Sequence, residues 1–236
     1  MSGIFRWLGS FLFPITVAEC DSEVSGKLRV IYSKGKYQLD TLGVNYSFGG
    51  LHGVFQKSFD QYNIGGREIK NVLILGFGSG SVAYILQHEY RKDVKILGVE
   101  KDEAVIGLAK KYFSIDKYKG LALECAEAYD LVCGGGKYSA STTTAFDLVV
   151  MDIFVDLLVP DKFQDDEFLS GLSRLLSPDG ILFYNFISRD VKTRDAGGKL
   201  FQRMNALIGN TEWVRLPAKR TENWVFVCDR NKTKKP

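Results

Sequence analysis

Apolar runs alternate with helical patterns along most of the chain. Seven runs rich in Val, Ile, Leu and Phe predict strands, at residues 72–75, 94–99, 121–124, 146–151, 181–186, 212–216 and 224–228. Apolar residues at helical spacing occupy most of the connections, as at 81–88, 103–113, 168–176 and 197–207. Strands that alternate with helices favour a parallel sheet covered on both faces. The link between the last two runs is too short for a crossover helix, so we expect the last strand to run antiparallel.

Shorter β-like pieces precede this alternation. They lie at 15–18, 27–32 and 36–39, with turn signals at Gly26 and at Lys34-Gly35, and they predict a small antiparallel hairpin unit. We therefore expect an N-terminal β unit over residues 1–62, an α/β domain over 63–229 and a basic tail over 230–236. Within the α/β domain, Pro178-Asp-Gly180 predicts a turn just before the fifth strand.

The glycine turn after the first long strand is the clearest candidate site. Gly76, Gly78 and Gly80 follow a buried run directly and open a helical pattern. Glycine lets the backbone turn sharply and approach a ligand closely. Glu100 ends the next apolar run, where a carboxylate can accept hydrogen bonds from the hydroxyls of a ribose. Together these residues predict a nucleoside-type ligand.

Two classes of nucleoside ligand compete for this turn. Dinucleotide sites usually carry a third glycine where this chain has Ser81. Gly-x-Gly-x-Gly followed by a carboxylate is also typical of S-adenosylmethionine-dependent transferases. The antiparallel closing hairpin favours their Rossmann-like class I methyltransferase fold over a nicotinamide-binding domain.

The composition of the chain bears on its expected binding partners and its cellular compartment. With 236 residues, 45% hydrophobic and 25% charged, the chain has the composition of a soluble globular protein. The net charge is +3, and this excess of positive charge comes from basic residues in the last seven positions. Because the rest of the chain is close to neutral, we expect no nucleic-acid partner. Four cysteines without Cys-x-x-Cys spacing fit the reduced thiols of a cytoplasmic protein. His52 and His88 have no partners at ligand spacing, and we expect no metal site.

The N-terminus is a short apolar and aromatic segment. Ile4 to Phe13 is too short to span a bilayer and contains Arg6. We expect an amphipathic segment that packs on its own domain or on a partner subunit. Its aromatic residues favour a homodimer over contact with a membrane.

Several motifs resemble the spermidine synthase-like group of class I methyltransferase-fold proteins. They are Val72-Leu-Ile-Leu-Gly-Phe-Gly-Ser-Gly80, Gly98-Val-Glu-Lys-Asp102, Phe146-Asp-Leu-Val-Val-Met-Asp152 and Leu176-Ser-Pro-Asp-Gly180. The resemblance extends from about residue 39 onward and includes a small β unit ahead of the Rossmann-like domain. It implies binding of S-adenosylmethionine or its decarboxylated form, and a small-molecule acceptor.

The resemblance also implies roles for individual residues. The loop Gly76, Gly78, Ser79 and Gly80 would face the methionine-like part of the ligand, Glu100 would lie at the ribose, and Glu127 at the adenine amino group. Lys101 and Asp152 would also belong to the cofactor site. Asp152, at the carboxyl end of its strand, would position and deprotonate the acceptor. We expect further acceptor contacts from the segment ahead of the domain, at Asn45, Tyr46, His52 and Gln56.

Two departures from the family pattern bear on the reaction. Ser79 stands where aminopropyltransferases keep an acidic residue for the ammonium of decarboxylated S-adenosylmethionine. The second carboxylate after Asp152 is displaced to Asp156, with apolar residues between, although both remain candidate catalytic residues. The preferred interpretation is a methyltransferase acting on an unidentified small acceptor. An aminopropyltransferase acting on a diamine and a catalytically silent adenosyl-binding module remain open.

Overall fold

The computed structural model describes residues 3–41, 45–47, 50–134, 145–217 and 221–231. An N-terminal helix, α1 (Gly3–Leu12), leads into a four-stranded antiparallel sheet. Its strands are β1 (Ile15–Ser22), β2 (Gly26–Ser33), β3 (Lys36–Thr41) and β4 (Asn45–Ser47), in that spatial order. The predicted antiparallel hairpin unit is thus confirmed, with longer strands than the apolar pieces indicated.

A seven-stranded sheet forms the larger part of the molecule. It consists of β5 (Asn71–Leu75), β6 (Lys95–Glu100), β7 (Leu121–Cys125), β8 (Phe146–Met151), β9 (Leu176–Ser188), β10 (Thr211–Pro217) and β11 (Glu222–Asp229). The spatial order is β10-β11-β9-β8-β5-β6-β7, and β11 pairs antiparallel with both of its neighbours. The strands from β9 to β7 pair in parallel. This topology confirms the predicted class I methyltransferase-like fold.

Six further helices flank or connect these strands: α2 (Gly50–Gln61), α3 (Ser81–Tyr84), α4 (Glu103–Phe113), α5 (Ala128–Cys133), α6 (Asp166–Leu175) and α7 (Val191–Leu207). A π-helical turn (Ile85–Glu89) continues α3, and 3-10 turns lie at Ile64–Gly66, Ile115–Lys117 and Asp161–Gln164. Successive strand residues point to opposite faces. Ile74 therefore packs with α2, α3 and α4 in one core, and Leu75 with α5, α6 and α7 in the other.

Two element boundaries differ from the sequence prediction. β9 begins at Leu176, and Pro178-Asp-Gly180 is an irregularity within the strand rather than a separate turn. The pairing with β8 jumps from Leu176 to Ile181 there, which marks a bulge. α7 begins at Val191, before the predicted residue 197, because Asp190 and Thr193 form a reciprocal capping box.

The packing of α2 and of Arg230 bears on the predicted domain limits. Phe55 and Phe59 of α2 are fully buried in the core that contains Ile74 of the larger sheet. The boundary at residue 62 therefore stays a proposal, and this packing favours a boundary ahead of α2.

Arg230, the first residue of the predicted basic tail, donates to the backbone carbonyls of Ser173, Leu176 and Ser177. Residues 232–236 lie outside the described part of the chain.

Helix α1 docks on the turn between β2 and β3 through Ser10, and the rings of Trp7 and Phe11 lie beside Gly35 of that turn. Ser10 is buried, its carbonyl accepts from the Lys34 amide at 2.8 Å, and its Oγ accepts from the Gly35 amide at 3.0 Å. Large apolar side chains on the rest of the segment are exposed, namely Phe5, Trp7, Leu8, Phe11, Leu12 and Phe13. Within the described residues, no helix combines the length and apolar character needed to cross a bilayer.

Candidate active site

The candidate site lies at the carboxyl edge of the larger sheet, between β5 and β8. After β5 the chain continues to β6 on one side of this pair, and after β8 it continues to β9 on the other side. Open α/β sheets bind ligands at such a reversal of strand order. A cavity of about 370 Å³ opens there, within the usual size range of small-molecule sites.

The glycine turn forms the base of this cavity. Gly76 has a φ of +81°, and a Cβ there would lie 2.3 Å from the Asp152 carbonyl oxygen. The amides of Gly76 and Phe77 both donate to the Val99 carbonyl at 3.0 Å. The Phe77 ring packs against the backbone of Gly98, where a Cβ would come within 2.4 Å of it. Only glycine at positions 76 and 98 permits this close packing of the turn against β6 and β8.

Glu100, at the end of β6, is nearly buried in the cavity wall. Its Oε2 accepts from the Gly78 amide at 2.9 Å and its Oε1 from the Asp102 amide at 3.0 Å. Burial raises the pKa of Glu100, against the lowering effect of these amides. Each carboxylate oxygen retains a further lone pair, so the carboxylate can accept two ligand hydroxyls as well.

A buried hydroxyl also faces the cavity without a partner. Ser81, at the start of α3, lines the cavity, and its Oγ has no hydrogen-bond partner among the described residues. A buried hydroxyl is normally satisfied, so this atom marks a place for a polar ligand group. The sequence drew attention to Ser81 only as a missing glycine.

Glu127 also lines the cavity and pairs with two lysines. Its Oε2 is 3.0 Å from Lys101 Nζ and 2.9 Å from Lys162 Nζ. Burial raises the pKa of Glu127, but the hydrogen bonds and charges of the lysines outweigh it and lower the pKa below its ordinary value. Lys162 thereby ties the 3-10 turn after β8 to the segment between β7 and α5.

Asp152 lies in the cavity wall directly after β8. Its Oδ1 accepts a hydrogen bond of 2.9 Å from Asn185 Nδ2 in the centre of β9. Burial raises the pKa of Asp152 to about 7, with a smaller contribution from the negative charge of Glu100, while the Asn185 hydrogen bond opposes the shift. A carboxylate with a pKa near neutrality can take up a proton from a reacting group.

Asn185 was not predicted from the sequence as a site residue. It is fully buried, and its Oδ1 has no partner among the described residues. The sequence feature that could have indicated Asn185 is the presence of a side-chain amide inside the otherwise apolar run from Ile181 to Ile187. A buried amide in such a strand needs a polar partner, and here the partner is Asp152.

The tip of the β1-β2 hairpin is the other contribution that the sequence did not reveal. Glu23, Val24 and Ser25 line the cavity from the smaller sheet. Ser22 Oγ fixes the tip, because it accepts from the amides of Val24 and Ser25 and donates to Asp102 Oδ2 at 2.5 Å. The cavity is therefore shared between the two sheets.

Of the predicted site residues, Gly76, Gly78, Glu100, Lys101, Glu127 and Asp152 line the cavity together. Ser79, Gly80 and Asp156 are not among the described residues that line it. Ser79 is fully buried within the fold. The φ of Gly80 is +87°, and a Cβ there would point at Ile115 and Phe77. Asp156 sits with φ +55° on an exposed turn, and a catalytic role for it stays a prediction.

The predicted acceptor residues of α2 lie elsewhere. His52 Nε2 is 2.9 Å from Glu89 Oε1, and Gln56 Nε2 donates to Glu89 Oε2 at 3.2 Å. Neither is among the described residues lining the cavity. The backbone of Asn45 and Tyr46 belongs to β4, and their side chains lie outside the described part of the chain. An acceptor role for these four residues stays a prediction.

Comparison with known families supplies a context for this geometry. The sequence model of the spermine/spermidine synthase domain matches residues 59–232, from the last turn of α2 to beyond β11. A probable polyamine aminopropyl transferase of Bifidobacterium longum is 29% identical over 115 residues, which cover 49% of this chain and 24% of that protein. The chain spans less than half the length of the curated relatives it matches.

Solved structures agree with the fold. A probable spermidine synthase from Corynebacterium glutamicum superposes with a TM-score of 0.65 at 15% identity, covering 94% of this chain and 82% of that one. Human methyltransferase-like protein 13 in complex with SAH gives a TM-score of 0.61 at 17% identity, covering 80% of this chain and 86% of that one. A probable spermidine synthase and a methyltransferase-like protein thus share the fold of this chain.

We predict that Glu100→Gln weakens the binding of S-adenosylhomocysteine by about 1–3 kcal/mol. The change removes the charge and replaces one oxygen by an NH2 group facing an amide donor. Isothermal titration calorimetry measures the affinity. Glu103→Gln, an exposed residue in the first turn of α4, is the matched control and should bind as the wild type does. Unchanged affinity in a folded Glu100→Gln variant would contradict the ribose assignment.

Proposed function

The chain belongs to the spermine/spermidine synthase domain family, and we propose that it is a transferase that moves the methyl group of S-adenosylmethionine to a small nucleophilic acceptor. The observation that carries this proposal is Asp152. It is a carboxylate with a pKa of about 7, oriented by a buried amide and facing the same cavity as the ribose-type carboxylate Glu100.

The donor would occupy the part of the cavity between the glycine turn and Glu127. Glu100 would accept the ribose hydroxyls, and Ser81 Oγ would meet a polar group of the ligand. Glu127 would accept from the adenine amino group with its remaining lone pairs, held in place by Lys101 and Lys162. The donor supplies an electrophilic carbon on a positively charged sulfur, so the protein's task is to hold the acceptor in line and to exclude water.

Asp152 would act on the acceptor. A protonated amine has no lone pair for attack, and its ordinary pKa lies well above neutrality. Asp152 would hold the ammonium group by charge and remove its proton as the nitrogen approaches the donor carbon. Asn185 is a positioning residue in this scheme, because its Nδ2 fixes Oδ1 and leaves Oδ2 for the acceptor.

Methyl transfer is supported over aminopropyl transfer by the charges around the cavity. Aminopropyl transfer to a diamine needs an acidic partner for a second ammonium on the acceptor, whereas the donor carries the same single ammonium in both cofactor forms. The described lining residues include four carboxylates. Of these, Glu100 already accepts from two backbone amides, and Glu127 already pairs with two lysines. That leaves Asp152 and Glu23, and the residues that follow Asp152 are apolar.

Aminopropyl transfer to a diamine is the second candidate. The family to which the chain belongs and the name of the Bifidobacterium longum relative favour it. A catalytically silent adenosyl-binding module is the third candidate and differs by the absence of turnover with any acceptor. The compartment we propose for the protein is the cytoplasm.

We predict that intact S-adenosylmethionine binds at least tenfold more tightly than its decarboxylated form, a difference of about 1.4 kcal/mol. The decarboxylated form lacks the carboxylate, which the unpaired buried hydroxyl of Ser81 can meet in the cavity, and it carries no charged group that the intact form lacks. Calorimetric titration of the wild type with each form measures the two affinities. Tighter binding of the decarboxylated form, with conversion of putrescine to spermidine, would establish the second candidate instead.

Turnover should follow the ionisation of Asp152. Its raised pKa means that the carboxylate is protonated and inactive below about pH 7, so kcat/KM should fall tenfold per pH unit below that point and level off above it. Asp152→Asn should lose at least about 100-fold in kcat and keep its affinity for S-adenosylhomocysteine. Asp195→Asn, on the exposed face of α7, is the control. An acidic limb that persists in Asp152→Asn would rule out this residue as the base.

We also propose a homodimer that covers the exposed apolar residues of α1. A contiguous apolar surface of this kind is typical of an interface. Light scattering should give twice the 26.5 kDa mass of the chain. Trp7→Glu with Phe11→Glu should return it to one copy, because both charges would be buried in the interface. A wild-type monomer at micromolar concentration would refute the proposal.

A further inference from the structure

A two-residue turn projects from the segment that follows Asp152. The amide of Val155 donates to the Leu158 carbonyl at 2.8 Å, and the amide of Leu158 donates to the Val155 carbonyl at 2.9 Å. Between them, Asp156 and Leu157 have φ angles of +55° and +81°. This reciprocal pair is the closing pair of a tight hairpin, and residues directly opposite each other in such a pair project to one face.

Val155 lies on the cavity side of this hairpin, and Leu158, directly opposite it, shares its face but is not among the described lining residues. Val155 lines the cavity, and its side chain is 58% exposed, while Leu158 is 40% exposed. The same turn carries Asp156 away into solvent. Val24, at the tip of the β1-β2 hairpin, also lines the cavity and is 50% exposed. Val24 and Val155 therefore border a cavity that contains the candidate base, and Leu158 extends this apolar surface beside Val155. We call Val24, Val155 and Leu158 the apolar rim.

The wall between the rim and Asp152 is apolar as well. Ile153 and Phe154 follow Asp152 directly and line the cavity. Along this stretch, from residue 153 to residue 163, the described lining residues include no carboxylate, and the charged one is Lys162. A second ammonium on an acceptor held at Asp152 would meet hydrocarbon or a lysine there, at a desolvation cost. Glu23, beside Val24, also lines the cavity, but it is exposed at the hairpin tip, where an ion pair with an ammonium contributes little.

We propose that the acceptor is a primary amine whose nitrogen carries an apolar substituent, which the apolar rim binds, rather than a diamine. The inference rests on the proposed function, because it takes Asp152 as the residue that holds the reacting nitrogen. The apolar substituent leaves water at the rim, where exposed aliphatic side chains gain by being covered. The rim thus determines specificity, and Asp152 determines which atom reacts.

A matched pair of amines tests the inference by binding alone. n-Pentylamine and putrescine differ in that a methyl group replaces one terminal ammonium. Each is titrated calorimetrically into the full chain saturated with S-adenosylhomocysteine. We expect n-pentylamine to bind about tenfold or more tightly than putrescine. Equal or tighter binding of putrescine, or no binding of either amine, would overturn the inference.

A variant of the rim locates the effect. Val155→Asp places a carboxylate beside the second terminus and should reduce or reverse the preference for n-pentylamine. Val191→Asp is the matched control, because Val191 is 72% exposed at the start of α7 and is not among the described lining residues. It should keep the wild-type preference. The same preference in Val155→Asp, with an unchanged thermal midpoint, would overturn the assignment of the rim.

Turnover is measured separately, as S-adenosylhomocysteine formed from S-adenosylmethionine and each amine. Preferential binding of n-pentylamine without turnover would contradict the proposed methyl transfer and support the apolar acceptor subsite. Turnover of both amines with tighter binding of putrescine would support the transferase and overturn the subsite. The two failures are therefore distinguishable.

Discussion

The close approach of the Gly76 backbone to the end of β8 is the constraint on which the site depends. A Cβ at Gly76 would lie 2.3 Å from the Asp152 carbonyl oxygen, a separation that no repacking of side chains relieves. The contact brings the turn after β5 against the residue that carries the proposed proton acceptor. Because the turn also donates to β6 and to Glu100, one backbone conformation fixes the ribose-type carboxylate and Asp152 relative to each other.

Burial gives the two carboxylates different tasks. Two backbone amides donate to Glu100, which keeps its oxygens as fixed acceptors although burial raises its pKa. Asp152 has one amide donor, from Asn185, and its pKa rises to about 7. A carboxylate that must bind hydroxyls benefits from many donors, whereas one that must exchange a proton at neutral pH benefits from few. The number of donors around each group thus matches the role proposed for it.

Local patterns were sufficient to predict the parts of the site that lie at strand ends. The glycine turn, Glu100 and Asp152 each follow a buried apolar run, and parallel strands bring their carboxyl ends to one edge. Asn185 and the hairpin tip could not be predicted in this way, because their roles depend on pairings between distant segments. The exposed position of Asp156 could not be predicted for a similar reason. Spacing along the chain did not reveal that it and Leu157 adopt left-handed angles, which turn the carboxylate outward.

The smaller sheet also contributes to the site, through the tip of the β1-β2 hairpin. Ser22 donates to Asp102, the Asp102 amide donates to Glu100, and Glu100 accepts from Gly78. This continuous chain of hydrogen bonds joins the hairpin tip to the floor of the cavity. The family match begins at residue 59, so Val24 and the rest of the tip lie outside the matched region. The floor that would bind the donor belongs to the shared domain, whereas part of the proposed acceptor rim comes from the segment ahead of it. Acceptor preference can therefore differ among proteins that keep the same donor site.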